Sequence, residues 1–136
     1  MSGDRQMSVF DIAGRAMSAQ MVRLNTTASN LANADSVASS KAEAFRAIKP
    51  VFESVSGGEG VATVRVSRVV QSEVEPTRRH DPNHPMADAD GNVWEAGVDS
   101  AAELVEMLET ARQYQNIVQV LQTAKTLTLD TIRMGK

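Results

Sequence analysis

From Ser100 to Met134 the chain contains neither glycine nor proline, and a stretch this long without helix breakers is expected to form one continuous helix. Leu104, Met107, Ala111, Tyr114, Val118 and Leu121 alternate three- and four-residue spacings, the pattern of a coiled-coil seam. Beyond Ile117 the stripe widens. At 100° per residue, Ile117, Val118, Val120, Leu121, Ala124, Leu127, Leu129 and Ile132 sweep an arc of roughly 200°. One partner helix cannot bury all of it.

A second helical pattern occupies the N-terminal third. Phe10, Gly14, Met17, Met21, Leu24, Ala28 and Leu31 repeat the same alternation, with Phe10, Met17, Leu24 and Leu31 each seven apart. This seam is narrow, about 100° wide. Ser8 and Asp11 have the spacing of a capping box, with aspartate in place of the usual glutamate. Asn25, Asn30 and Asn33 lie among Thr26, Thr27, Ser29 and Ser36. Such side chains compete for the backbone, so the helix should end near Asn33. The cluster reads either as a fraying helix end or as a set of amides placed to bond neighbouring chains where the apolar seam stops.

Between the helices the texture changes. Ala38 to Phe45 is compatible with a short helix that Pro50 should end, because proline pushes Lys49 towards extended backbone. Gly57, Gly58 and Gly60 mark a turn. Ala62, Val64 and Val66 then alternate with polar residues, and Val69, Val70 and Val74 carry β character to Pro76. A one-sided strand needs a partner. The candidates are Phe45 to Phe52, across the glycine turn, and Asn92 to Trp94. The fold class expected is mainly α with a small β-rich insert: long terminal helices paired as a coiled coil, with a β-hairpin and an extended loop between them. The divisions are 1–36, 37–99 and 100–136, the first and last forming one discontinuous helical domain.

Several function classes fit poorly. A formal charge of −3 gives no electrostatic reason to expect nucleic acid binding. Cysteine is absent, which excludes disulfides and thiolate metal sites. At 4% aromatic content the chain suits packed helices better than a deep pocket for a small-molecule substrate. Met1 to Gln6 carries Asp4 and Arg5 and leads into no continuous apolar run, so neither a cleavable signal peptide nor a transmembrane helix is expected.

The segment Pro76 to Gly91 looks most like chemistry. His80, Asp81, His84 and Asp88, with Asp90, are all potential ligands. Yet Pro82 and Pro85 prevent the helix that would aim both imidazoles at one metal. Aligning Gly91 with the glycine of an EF-hand loop puts Met86 and Gly97 where carboxylates belong. A proline-rigidified loop closing in a turn at Asp90 and Gly91 accounts for these residues better. No catalytic, metal or cofactor site is assigned.

Gly14, Met17, Ser18, Ala19, Gln20, Met21, Arg23 and Leu24, followed by the run Ser29 to Ala34, resemble the N-terminal signature of the flagellar rod and hook proteins. The run Arg79 to Asp88, followed by Gly91 and Val93, resembles the central motif of the proximal-rod type within that family. Glu103, Leu104, Met107, Leu108, Ala111, Arg112, Tyr114 to Asn116, Thr123 to Lys125 and the Met134-Gly135 ending resemble its last helix. The resemblance spans Met7 to Gly135. Ser36 stands where the family usually has threonine, Asn92 where it has tyrosine, and Ala96-Gly97 where it has a proline-asparagine pair. Met1 to Gln6 lies ahead of the usual start, which makes Met7 a candidate initiator.

The resemblance implies a structural axial subunit, not an enzyme. Such subunits cross the flagellar type III export apparatus unfolded and polymerise with their own copies and other rod proteins into a hollow, torque-transmitting rod in the periplasm. Phe10, Met17, Met21, Leu24, Ala28 and Leu31 are then expected to meet Leu104, Met107, Ala111, Tyr114, Val118 and Leu121 within the chain. Asn25, Asn30, Asn33, Ile117, Val120, Lys125, Leu127, Leu129 and Ile132 are expected at subunit interfaces. Lys125 lies inside the apolar arc, so it should either find a carboxylate or carbonyl partner or reach the rim. The alternative is a soluble helical adaptor that pairs with partner helices through its terminal seams. A metal-dependent hydrolase built on His80, Asp81 and His84 is a more distant one.

Overall fold

The computed structural model describes residues 8–135; Met1 to Gln6 and the choice of Met7 as start lie outside them. Two helices enclose a β insert. Helix α1 spans Val9–Ala32 and α2 spans Ser100–Met134. The capping box at the start of α1 forms: Ser8 Oγ accepts from the Asp11 N–H, and the Asp11 carboxylate accepts from the Ser8 N–H. Asn33 ends α1, its Nδ2 donating to the Ser29 carbonyl at 2.8 Å. Asp99 caps α2 by accepting from the Ala102 N–H. Both helices thus begin, and α1 ends, at residues whose side chains satisfy otherwise orphaned backbone groups, while α2 ends with the Gly135 N–H donating to the Thr131 carbonyl. No described helix is long and apolar enough to cross a membrane.

The insert holds five strands: β1 (Val37–Ala38), β2 (Ile48–Ser56), β3 (Ala62–Gln71), β4 (Thr77–His80) and β5 (Asn92–Glu95). β2 and β3 form a hairpin across the glycine turn, with Phe52 opposite Val66 and an irregularity at Val51/Phe52. Pro50 is tolerated inside β2 because both strands of a two-stranded ribbon are edges. Asn92 to Trp94, the other candidate partner for the β3 region, pairs elsewhere: β5 is the centre of an antiparallel sheet ordered β1-β5-β4. The short helix expected over Ala38 to Phe45 does not form. Val37 and Ala38 pair with Glu95 and Trp94, and bends and turns follow from Ser39. Pairing with the distant β5 outweighs the weak local preference for helix.

The two sheets are joined through Ala47 and Gly97. The Ala47 N–H donates to the Gly97 carbonyl at 3.2 Å, and its carbonyl accepts from the Ser72 N–H at 2.7 Å. The Gly97 N–H donates to the Phe45 carbonyl at 2.8 Å, and the Ala96 N–H donates to the Ser36 carbonyl at 3.2 Å. A Cβ at position 97 would stand 2.5 Å from the Val74 carbonyl oxygen. Only glycine lets the backbones approach so closely. The chain therefore enters α2 through a tight junction, and Gly97 is what permits it. Lys41 adds a surface tie, donating to Glu75 at 3.1 Å and holding that carboxyl below its ordinary range.

Candidate assembly surface

Helix α1 packs against two neighbours, the hairpin on one side and α2 on another. The α1–α2 pair runs antiparallel. Thr27 and Arg23 line a common cleft with Ala102, Glu103 and Glu106, and the Arg23 guanidinium bonds Glu106 and, about two turns further along α2, Gln113 at 3.2 Å. Glu103 and Thr110 are buried on α2, with Met107, Tyr114, Ile117, Val118, Leu121 and Ala124 half-buried. The Thr110 hydroxyl donates to the Glu106 carbonyl at 2.7 Å, which satisfies it within its own helix.

This geometry corrects the expected seam. The inward stripe of α2 runs through Glu103, Met107, Thr110, Tyr114, Ile117, Leu121 and Ala124. It keeps Met107, Tyr114 and Leu121 of the expected seam and puts Glu103, Thr110 and Ile117 in place of Leu104, Ala111 and Val118, a rotation of roughly 50°. Leu104 is 53% exposed. Arg23 accounts for the rotation. Its bonds draw Glu106 and Gln113, which flank that stripe, towards α1. On α1, Phe10, Met21 and Ala28 are exposed, while Ala13, Ala19, Thr26 and Thr27 are buried and Met17, Leu24 and Leu31 half-buried. With neighbours on two sides, α1 turns its small residues inward, where backbones can come close.

Asn30 is the second correction. It is 1% exposed, so it is not placed to bond a neighbouring chain. Its Oδ1 accepts from the Ile48 N–H at 2.8 Å and its Nδ2 donates to the Ile48 carbonyl at 2.9 Å. The side-chain amide copies one rung of a β-ladder and clamps the start of β2 onto α1. An amide carries one donor face and one acceptor face in one plane, which a backbone residue matches. Asn25 is exposed and Asn33 half-buried.

The histidine-rich segment connects β4 to β5. Asp88 Oδ1 accepts from the backbone N–H groups of Asp90 and Asn92, both at 2.9 Å, and His84 Nδ1 accepts from Met86 N–H at 3.0 Å. The Asp81 N–H closes the loop on the Gly91 carbonyl at 2.9 Å. Gly91 sits at φ +78°, and a Cβ there would come within 3.0 Å of Pro82. His80 Nδ1 lies 3.2 Å from Asn92 Oδ1. Pro82 and Pro85 rigidify the turn, and Asp88 is occupied with holding backbone. Among the described residues no group of three or more His, Cys, Asp or Glu could hold a metal ion.

Half of the exposed large apolar side chains among the described residues lie on α2. At 1.5 Å per residue α2 is about 50 Å long and α1 about 36 Å. With Thr27 beside Glu103, the start of α1 comes level with about Leu121. Past that point Leu127, Leu129, Ile132 and Met134 are all exposed, as are Val120 and, on the outer side nearer the start, Val105 and Leu108. Lys125 is exposed and makes no ion pair among the described residues. The total accessible surface is 9384 Å², against about 6,900 Å² for a compact monomer of this mass.

Two helices flanking a β insert, with a long apolar stripe uncovered, define a subunit made for assembly. The family model described as "Flagella basal body rod protein" matches residues 10–38, and "Flagellar basal body rod FlgEFG protein C-terminal" matches residues 89–134. These are α1 with β1, and β5 with α2. The flagellar basal-body rod protein FlgC of Salmonella typhimurium strain LT2 is 39% identical over 131 residues, covering 96% of this chain and 98% of its own. That of Escherichia coli O6:H1 is 42% identical over 132 residues with the same coverage, and that of Bacillus subtilis strain 168 is 28% identical over 145 residues, covering 93% and 96%. The chain belongs to the FlgC family of flagellar basal-body rod proteins. It is a structural subunit of the basal-body rod and not an enzyme.

Proposed function

We propose that the chain is a proximal-rod subunit, delivered by the flagellar type III export apparatus and polymerised with its own copies and other rod proteins into a hollow, torque-transmitting helical shaft in the periplasm. Residues 1–36 and 100–136 form its helical core domain and 37–99 its insert. α1 and α2 pair as an antiparallel coiled coil about the Glu103–Thr110–Ile117 stripe. Asn25, Asn33, Val120, Lys125, Leu127, Leu129 and Ile132 meet neighbouring subunits, while Ile117 stays in the pair with α1. The observation that carries this reading is the uncovered end of α2, where four large apolar side chains lie beyond the reach of α1. An exposed apolar stripe of this extent marks an interaction surface.

Passage through a narrow export channel requires a pair of helices that comes apart easily. The α1–α2 contact suits that need, because its most buried α2 residues are Glu103 and Thr110 rather than leucines. The test is Leu24→Asp and Leu121→Asp, each in a half-buried position of the pair. Both variants should be exported yet fail to build a rod, giving non-motile cells whose subunit appears outside the cytoplasm. Normal swimming by both would overturn the reading.

A further inference from the structure

The structure holds two complementary surfaces that cannot meet within one chain. One is a groove of about 810 Å³ walled by α1 and β3 and lined by no residue of α2. Phe10, Gly14, Val22, Val64 and Val66 supply its apolar lining, and its charged residues are Asp11, Arg15 and Arg65. Asp11 is engaged in the cap with Ser8, and Arg65 pairs with Glu53 at 2.9 Å. Arg15 makes no ion pair among the described residues. Walls on two sides and an open top suit a rod-like occupant better than a small molecule, which is normally enclosed on most of its surface.

The other surface is a second stripe on α2. Asn116, Val120, Thr123, Leu127, Asp130 and Met134 alternate four- and three-residue steps and are all exposed. Val120, Leu127 and Met134 are seven apart, which makes this a coiled-coil type seam. It lies about 120° around the helix from the stripe that packs on α1. Asp130, the one charge in the stripe, makes no ion pair among the described residues.

We propose that the outer stripe of α2 from one copy docks in the α1–β3 groove of the next copy, with Asp130 paired to Arg15. The apolar residues match the groove lining, and the one unpaired carboxylate of the stripe meets the one unpaired cation of the groove. Such a charge pair fixes the register of a seam whose apolar spacing alone would permit slips of a heptad. The contact cannot form within a chain. Arg15 is level with about Gln115, so Asp130 lies about 22 Å further along α2. The two surfaces are also different patches, so the contact is heterologous, leaves a free groove and a free stripe at opposite ends, and propagates.

The inference rests on the polymerising reading above, and the experiment separates the two. The chain lacks cysteine, so Arg15→Cys and Asp130→Cys can be placed on separate copies and co-expressed in cells lacking the native subunit. Oxidation of isolated basal bodies should give a dimer band only when both variants are present. If unmodified chain restores rods but the mixed sample shows no dimer, or Arg15→Cys alone dimerises equally, the docking is wrong and the rod reading stands. If unmodified chain is never incorporated, both fall. Arg15→Glu and Asp130→Arg should each abolish swimming, and the double charge swap should restore it. Normal swimming by both single variants, or no recovery in the double, would overturn the pairing.

Discussion

The junction at Ala47 and Gly97 and the free end of α2 are built on opposite principles. At the junction the side chains are small, and stability comes from backbone groups that pair across segments far apart in sequence. At the end of α2 the side chains are large and apolar, and among the described residues Leu127, Leu129, Ile132 and Met134 stay exposed. The first region completes itself on folding. The second is left open by the described residues, and the interface proposed above is what would complete it. A rod subunit gains from this division, because apolar surface buried within the subunit is no longer available to hold it to its neighbours.

That contrast breaks most visibly at the end of α2. Leu127→Asp combined with Ile132→Asp should eliminate incorporation into basal bodies, while changing the subunit's own unfolding free energy by no more than about 0.5 kcal/mol, as expected for exposed positions. Denaturant unfolding set beside a motility assay checks both halves of the statement. The junction should behave in reverse. Gly97→Ala drives a Cβ into the Val74 carbonyl and should cost about 3 kcal/mol. The fluorescence of Trp94 on β5, the sole tryptophan, reports the lowered midpoint.

Two smaller effects probe the ground between those extremes. Asn30→Ala leaves the N–H and C=O of Ile48 without their partner and should weaken the hold of the hairpin on α1 by about 2 kcal/mol. Faster deuterium exchange at the Ile48 amide is the measurement. Arg23→Met removes the half-exposed tie to Glu106 and Gln113. It should cost only about 1 kcal/mol, yet it tests what rotates α2: Leu104 should become less exposed, which chemical footprinting of that side chain can follow.

Much of the local structure was legible from the residues. Helix limits followed from Ser8, Asn33 and the breaker-free run after Asp99, because caps and breakers act over a few residues. The hairpin was one of the two pairings that the alternating valines and the glycine turn left open, and β2 took it. The rod family was legible from motifs spread over nearly the whole chain. The stripe facing α1 was misplaced because hydrophobic periodicity assumes that the most apolar face turns inward. Here Glu103 and Thr110 turned inward beside Met107, Tyr114 and Leu121, and Leu104 was left exposed.

By itself the sequence determined where the two helices begin, about how far they run, where the glycine turn falls, and that α2 carries more apolar surface than one partner can cover. These are consequences of backbone preferences and spacing within single segments. Tertiary structure alone decided which face of each helix is internal, that Asn30 reads the backbone of Ile48, that β5 sits between β1 and β4, and that Gly97 is a point of contact rather than a loose joint. Each of those depends on satisfying buried polar groups with partners tens of residues away, a condition that no local pattern encodes.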